Sequence, residues 1–273
     1  VSSFDFDIFN GIKIGIIGYG HLGQSIVESL IHHGFRKENL LISYKGNPAT
    51  RERIEEMGLV SCISENNKIF NEADVIFIMI RPQDIISLKG ILISQNKLVV
   101  SCLAGLPVEV VKSIVKTDTC RMMISGPDTI AAEKGVAAVY PYNELVGCIL
   151  KKMNLRIFEI SDEKEMDIFT TGVCLPAALL QEDNEVLIKD AIHEIGNECA
   201  MFVDLYEWAK RILPAFAKES EKVAYMARMI TKGGVTEAII DSLKEGELFI
   251  TALRKGIAHS KAISQEMNKS LLD

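Results

Sequence analysis

Apolar positions along the chain fall into two textures. Over roughly the first 160 residues they gather in short unbroken runs at 14–17, 40–43, 73–80, 97–103, 120–124, 135–140 and 156–160. Each run has the length and composition of a strand buried on both faces. Between the runs, residues 24–30, 48–57, 107–115 and 144–153 space their apolar side chains as helices do, one of them closing near Gly58. Strands alternating with helices of this size predict an α/β domain over residues 1–160, built on a doubly wound, mostly parallel sheet. In such a sheet ligands lie at the carboxyl ends of the strands.

Beyond Ser161 the runs disappear. Residues 163–198, 201–228 and 236–272 have helical periodicity and contain no convincing strand, so a second, all-helical domain is expected over 161–273. Segments 192–208 and 212–229 are apolar on more than one face, more than so small a domain should bury alone. Pairing of two chains through these helices accounts for that excess; a fully buried central helix is the alternative.

The junction between the first strand and the first helix carries Gly18-Tyr19-Gly20-His21-Leu22-Gly23. A glycine-rich turn of this spacing suits a dinucleotide. Gly18 permits a tight turn, Gly20 lets the backbone approach a pyrophosphate, and Gly23 lets helix and strand pack closely, while the helix start favours negative charge. An ordinary strand-to-helix turn is the plain alternative, and its correct position between strand and helix favours the Rossmann reading. His21 either touches the pyrophosphate or projects from an exposed loop. At the end of the second strand, where a carboxylate would bond a ribose 2′-hydroxyl, the chain instead has Ser43-Tyr44-Lys45-Gly46-Asn47-Pro48-Ala49-Thr50-Arg51. Hydroxyls and cations there suit a 2′-phosphate, so NADPH is the expected cofactor, with NADH as the alternative.

Composition narrows the function classes. The chain has 273 residues, 48% of them hydrophobic, enough for buried cores and against disorder. No apolar run approaches the ~18 residues of a membrane span, and residues 1–10 carry two aspartates and no cation, unlike a signal peptide. A cytoplasmic protein is expected. Six cysteines lie scattered without a Cys-x-x-Cys pair or Cys/His cluster, so neither a disulfide framework nor a metal is expected. His32, His33, His193 and His259 fall in predicted helices as surface or core residues. A formal charge of −7 without a basic run weighs against nucleic acid and for a small-molecule substrate.

Several segments together resemble a known family. They are Gly18-x-Gly20-x-x-Gly23; Ala-Asp-Val-Ile-Phe-Ile-Met-Ile-Arg-Pro-Gln over 73–83; Val-Ser-Cys-Leu-Ala-Gly over 100–105; Lys-Gly-Gly-Val-Thr over 232–236; and Leu-Lys-Glu-Gly-x-x-Phe over 243–249. In this order, from residue 13 to about 264, the chain resembles the pyrroline-5-carboxylate reductases. The resemblance implies reduction of a cyclic imine to proline with NAD(P)H, and helical C-terminal domains that pair into dimers, some assembling further. It places Arg81, Pro82 and the turn at Ala104 and Gly105 at the nicotinamide end of the cofactor groove. It places the substrate carboxylate on backbone N–H groups of Gly233, Gly234, Val235 and Thr236, with Lys232 beside them. Thr236 becomes the catalytic candidate, its hydroxyl close to the imine nitrogen; a helix-capping role for Thr236 is the alternative reading of the same loop.

The resemblance thins at three places. The family's Asn-Thr-Pro is Ser125-Gly126-Pro127 here. Its Ser-Gly-Ser-Gly-Pro-Ala-Tyr appears as Thr171-Gly172-Val173-Cys174-Leu175-Pro176-Ala177-Ala178. In the third, Lys232 replaces a proline and Glu237 adds a negative charge to the turn. The Lys-Gly-Gly-Val-Thr version is similar to competence-associated paralogues. Two other functions therefore stand beside the first: a reductase of the same fold for another imine or oxo acid, and a dinucleotide-binding regulatory protein without turnover.

Overall fold

A computed structural model describes residues 11–94 and 96–272, leaving aside the side chains of 268 and 270–272. Residues 1–10, expected above not to be a signal peptide, lie outside them. The chain divides into two compact units, one running to Glu159 and including the described residues from Met267 on, the other Ile160–Glu266.

The first unit is a seven-stranded sheet in the order β2-β1-β3-β4-β5-β6-β7. Its strands are β1 Ile14–Ile17, β2 Leu40–Ser43, β3 Val75–Ile78, β4 Leu98–Ser101, β5 Asp118–Ile124, β6 Val136–Tyr140 and β7 Arg156–Glu159. All neighbours are parallel except β5 and β6, which run antiparallel with Arg121 opposite Tyr140. Central strands β1 and β3 are buried at every position. Helices α1 His21–His32, α2 Pro48–Glu56, α3 Asn66–Glu72, α4 Val108–Val115, α5 Pro127–Ala131 and α6 Glu144–Lys152 cover the sheet. One core joins Ile16, Ile26, Leu30, Phe77 and Val100, and another joins Ile17, Phe70, Ile76, Val99 and Val111. Each such side chain contributes about 1.5–3 kcal/mol on burial. Capping sets the helix starts. The Asn47 side chain accepts from the N–H groups of Ala49 and Thr50 ahead of Pro48, and Asn143 does the same for Leu145 and Val146.

The second unit is helical, with α7 Glu165–Gly172, α8 Leu175–Ala178, α9 Glu185–Glu198, α10 Met201–Ile212, α11 Glu219–Met229, α12 Val235–Lys244 and α13 Phe249–Leu272, the last running on into the residues grouped with the first unit. The three long helical stretches expected from periodicity are thus seven helices. Pro176 opens α8, Asn184 caps α9 through Val186 and Leu187, and Gly246 at φ +82° ends the α12 turn. Nor is 212–229 one helix buried on several faces: α11 starts only at Glu219, and Met226 is its one buried residue. Phe169, Ile195, Phe202, Leu205, Ile239 and Phe249 are fully buried. Close approaches depend on absent side chains, since a Cβ at Gly172 would sit 2.4 Å from Leu205 Cδ1. Arg254 ties α13 to α9 through Glu194 (2.7 Å) and Glu198 (2.5 Å).

Candidate active site

In the first unit a groove of about 900 Å³ opens at the carboxyl ends of β1, β2 and β3. Gly18, Gly20, Ser43, Lys45 and Arg81 line it, together with Asn47, Thr50, Gln83, Asp84 and Ser87. A smaller cavity of about 620 Å³ shares Gly20, Asn47, Thr50 and Arg81 and is walled by His21, Gln24 and Arg53. The three glycines meet different needs. Gly18 has φ +102°, and a Cβ there would lie 2.6 Å from the Met79 carbonyl oxygen. At Gly23 a Cβ would lie 2.4 Å from the Gly18 carbonyl oxygen. At Gly20 it would meet nothing within 4 Å. Gly20 is also the N-cap of α1, which has no side-chain cap. The helix start therefore presents backbone N–H groups and dipole toward open space, an arrangement that fits a phosphate.

Five residues expected at the cofactor line neither cavity. Leu22 packs against the core, Gly23 is pressed against Gly18, and Pro82 opens the tight 82–88 turn. Ala104 and Gly105 form the turn after β4, with Gly105 buried at φ +76°. The cations after β2 differ from expectation as well, because each is already engaged. Lys45 Nζ lies 2.7 Å from Asp84 Oδ2, and Arg51 Nε donates to Glu55 over 2.6 Å. Arg53 binds Glu28 and Glu56. Asp84 supplies a carboxylate to this groove from the segment after β3. The sequence around β2 gave no sign of it, since 39 positions separate the pair.

The 232–236 segment belongs to the second unit. Gly233 takes φ +72° and Gly234 is the N-cap of α12, so Thr236 is not its cap. Thr236 is buried and its hydroxyl donates to Cys174 Sγ over 3.1 Å. Burial pushes the Cys174 thiol up to about 11, partly offset by that hydrogen bond, so it stays a neutral thiol at physiological pH. Its S–H is placed to donate to the Thr170 carbonyl at 3.1 Å. The Gly233 N–H donates to the Glu237 carboxylate at 2.6 Å, and His259 Nε2 lies 3.0 Å from the Gly233 carbonyl. The side chain of Glu237, whose effect on the turn the sequence left open, thus occupies one of the N–H groups expected to hold a substrate carboxylate. Lys232 and Val235 flank this arrangement, the first exposed and the second buried.

Ser125 and Cys174 of the divergent segments find local partners, whereas the Thr171 hydroxyl is buried without a hydrogen bond. Ser125 is buried, pairs with Thr129 Oγ1 at 2.6 Å, and accepts the Val136 N–H at 3.0 Å, fastening the end of β5 to the start of β6. Gly172 and Cys174 serve packing and the Thr236 hydrogen bond. No helix among the described residues is long and apolar enough to cross a membrane.

A mostly parallel sheet, a glycine turn into an uncapped helix and a groove at the strand ends define the class of Rossmann-type dinucleotide-binding folds. In agreement, residues 13–105, about a third of the chain, match the family described as NADP oxidoreductase, coenzyme F420-dependent. The pyrroline-5-carboxylate reductase of Corynebacterium melassecola is 21% identical over 247 residues, 85% of this chain and 90% of that one. The structure of the Coxiella burnetii pyrroline-5-carboxylate reductase covers 93% of this chain and 98% of its own at TM-score 0.60 and 20% identity. The Plasmodium falciparum pyrroline carboxylate reductase, solved with NADP bound, covers 93% and 98% at TM-score 0.56 and 19% identity. The chain is thus similar in sequence and in fold to pyrroline-5-carboxylate reductases, the family that its motifs resemble.

Proposed function

We propose that this protein is an NADPH-dependent reductase of a cyclic imine, with pyrroline-5-carboxylate, giving proline, as the substrate to try first and NADH as the alternative cofactor. The observation that carries the reading is the groove where uncapped α1 begins at Gly20. That glycine has no steric need within the protein, and its open face suits a pyrophosphate. When bound, the reduced nicotinamide supplies a hydride. Ser43, Asn47 and Thr50 offer polar groups to the ribose end of the groove, and Arg81 borders both cavities. A protonated imine is already electrophilic, so the chain need only bind and orient it. Because the Thr236 proton points to Cys174 Sγ, the Thr236 oxygen keeps lone pairs that can accept the N–H of such a cation.

Glu237 favours a second reading, in which the same fold reduces an imine or oxo acid that does not place a carboxylate on Gly233. We also propose a cytoplasmic homodimer formed through the helical unit, open to higher assembly. Val186, Val203, Val223 and Leu248, all substantially exposed, are the apolar side chains that a second copy would cover.

The deciding experiment follows NADPH consumption by absorbance with pyrroline-5-carboxylate, beside NADH and beside Thr236→Ala. Loss of a hydrogen bond to a charged group costs about 1.5–3 kcal/mol. The variant should therefore turn over about tenfold to a hundredfold more slowly. Saturable NADPH binding without turnover would overturn the pyrroline reading in favour of another substrate or a regulatory role.

A further inference from the structure

At the end of α1 opposite the glycine turn, three side chains come together that the proposed reductase chemistry does not use. His32 Nε2 lies 3.2 Å from Glu133 Oε1, and His33 Nε2 lies 3.7 Å from the same oxygen. The three ligand atoms all fall within 4.8 Å of one another. Tetrahedral zinc with nitrogen and oxygen ligands at about 2.0–2.2 Å separates its ligand atoms by about 3.3 Å. The observed spacing needs only small side-chain movements to meet that.

Two of the three groups are already oriented from behind. His33 Nδ1 lies 2.8 Å from the Ser29 carbonyl oxygen, which can only accept, so Nδ1 carries hydrogen and Nε2, facing Glu133, is the nitrogen left for a metal. Glu133 stands at φ +56°, and its other oxygen, Oε2, accepts from Asn154 Nδ2 at 3.1 Å. A backbone carbonyl behind an imidazole and an amide behind a carboxylate are what fix the ligands of metal sites. Two imidazolium rings converging on one carboxylate oxygen would repel each other, whereas two neutral rings sharing a cation with it would not.

We propose that His32, His33 and Glu133 bind one divalent metal ion of the zinc class, with solvent completing the coordination, which fastens the end of α1 to the turn after α5. Two imidazoles and one carboxylate suit such borderline ions better than magnesium or calcium, which prefer oxygen alone.

The test uses the untagged full chain, stripped with chelator and titrated with Zn(II) by calorimetry, with the thermal midpoint as a second readout. One equivalent should bind and raise the midpoint, and excess Mg(II) should not compete. His33→Ala should abolish binding. Asn154→Gly, a residue at ease with the left-handed backbone of that position (φ +57°), should weaken it about 10–100-fold while the circular dichroism stays that of the parent. Cys148→Ser, which removes an exposed thiol, should change nothing. Absence of saturable binding would overturn the proposal. So would binding that persists in both His33→Ala and Glu133→Gln.

Discussion

At Gly233 the chain supplies its own carboxylate. Glu237, in the first turn of α12, reaches back to the Gly233 N–H in the manner of a capping box, and its charge sits at the favourable end of the helix dipole. Any substrate carboxylate directed there meets both an engaged donor and a like charge. Charges at helix ends are worth about 0.3–2 kcal/mol. Glu237→Gln should therefore raise kcat/KM for pyrroline-5-carboxylate by about two- to thirtyfold, and urea unfolding should register a small loss of stability. An unchanged or lower kcat/KM would show that the carboxylate binds elsewhere. Asp84 acts at the same scale in the groove. Its pair with Lys45 is largely exposed on the lysine side and so contributes at most about 1 kcal/mol to stability. Asp84→Asn frees Lys45 and removes a negative charge, which favours a 2′-phosphate. Fluorescence titration should show NADPH binding strengthened severalfold relative to NADH, with thermal stability almost unchanged.

Among the elements, α1 offers the cleanest separation of packing from binding. Gly23→Ala drives a methyl into the Gly18 carbonyl and should cost about 1–3 kcal/mol in stability, because overpacking here meets backbone instead of a movable side chain. Gly20→Ala meets no protein atom, so its melting temperature should match the parent, while NADPH affinity should fall about tenfold or more. Equal effects at both positions would remove the phosphate site from Gly20. The strands of this unit were legible in the sequence because the buried runs, such as 14–17 between Lys13 and Gly18 or 73–80 between Glu72 and Arg81, stand out from their flanks, and the apolar run predicts the strand to within a few positions. The helical unit was less legible. Breaks at Asn184 and after Gly172 depend on a cap and on a close approach to Leu205, which periodicity does not register. Sites were legible where chemistry is local, as in the glycine turn. They were hidden where it is not: Lys45 meets Asp84, and His33 meets Glu133, only through the winding of the sheet and its helices.

For the whole molecule, the helical unit carries the remaining question of assembly. Val223 on α11 is 58% exposed and Val186 on α9 is 66% exposed, in a unit whose large aromatic side chains Phe169, Phe202 and Phe249 are fully buried. Covering such surfaces is worth about 25 cal/mol per Å² of apolar area. Sedimentation should find a dimer, and Val223→Lys should shift it toward monomer without altering NADPH binding by the first unit. A monomer at every concentration would refute the proposed pairing.

The unequal burdens of the three glycines bear on how such a motif ages. A descendant that no longer held a dinucleotide would still be bound to Gly18 and Gly23 by its own packing, and would carry two thirds of the signature as an architectural relic. Gly20 alone would be at liberty to drift, and in this chain the position is a glycine.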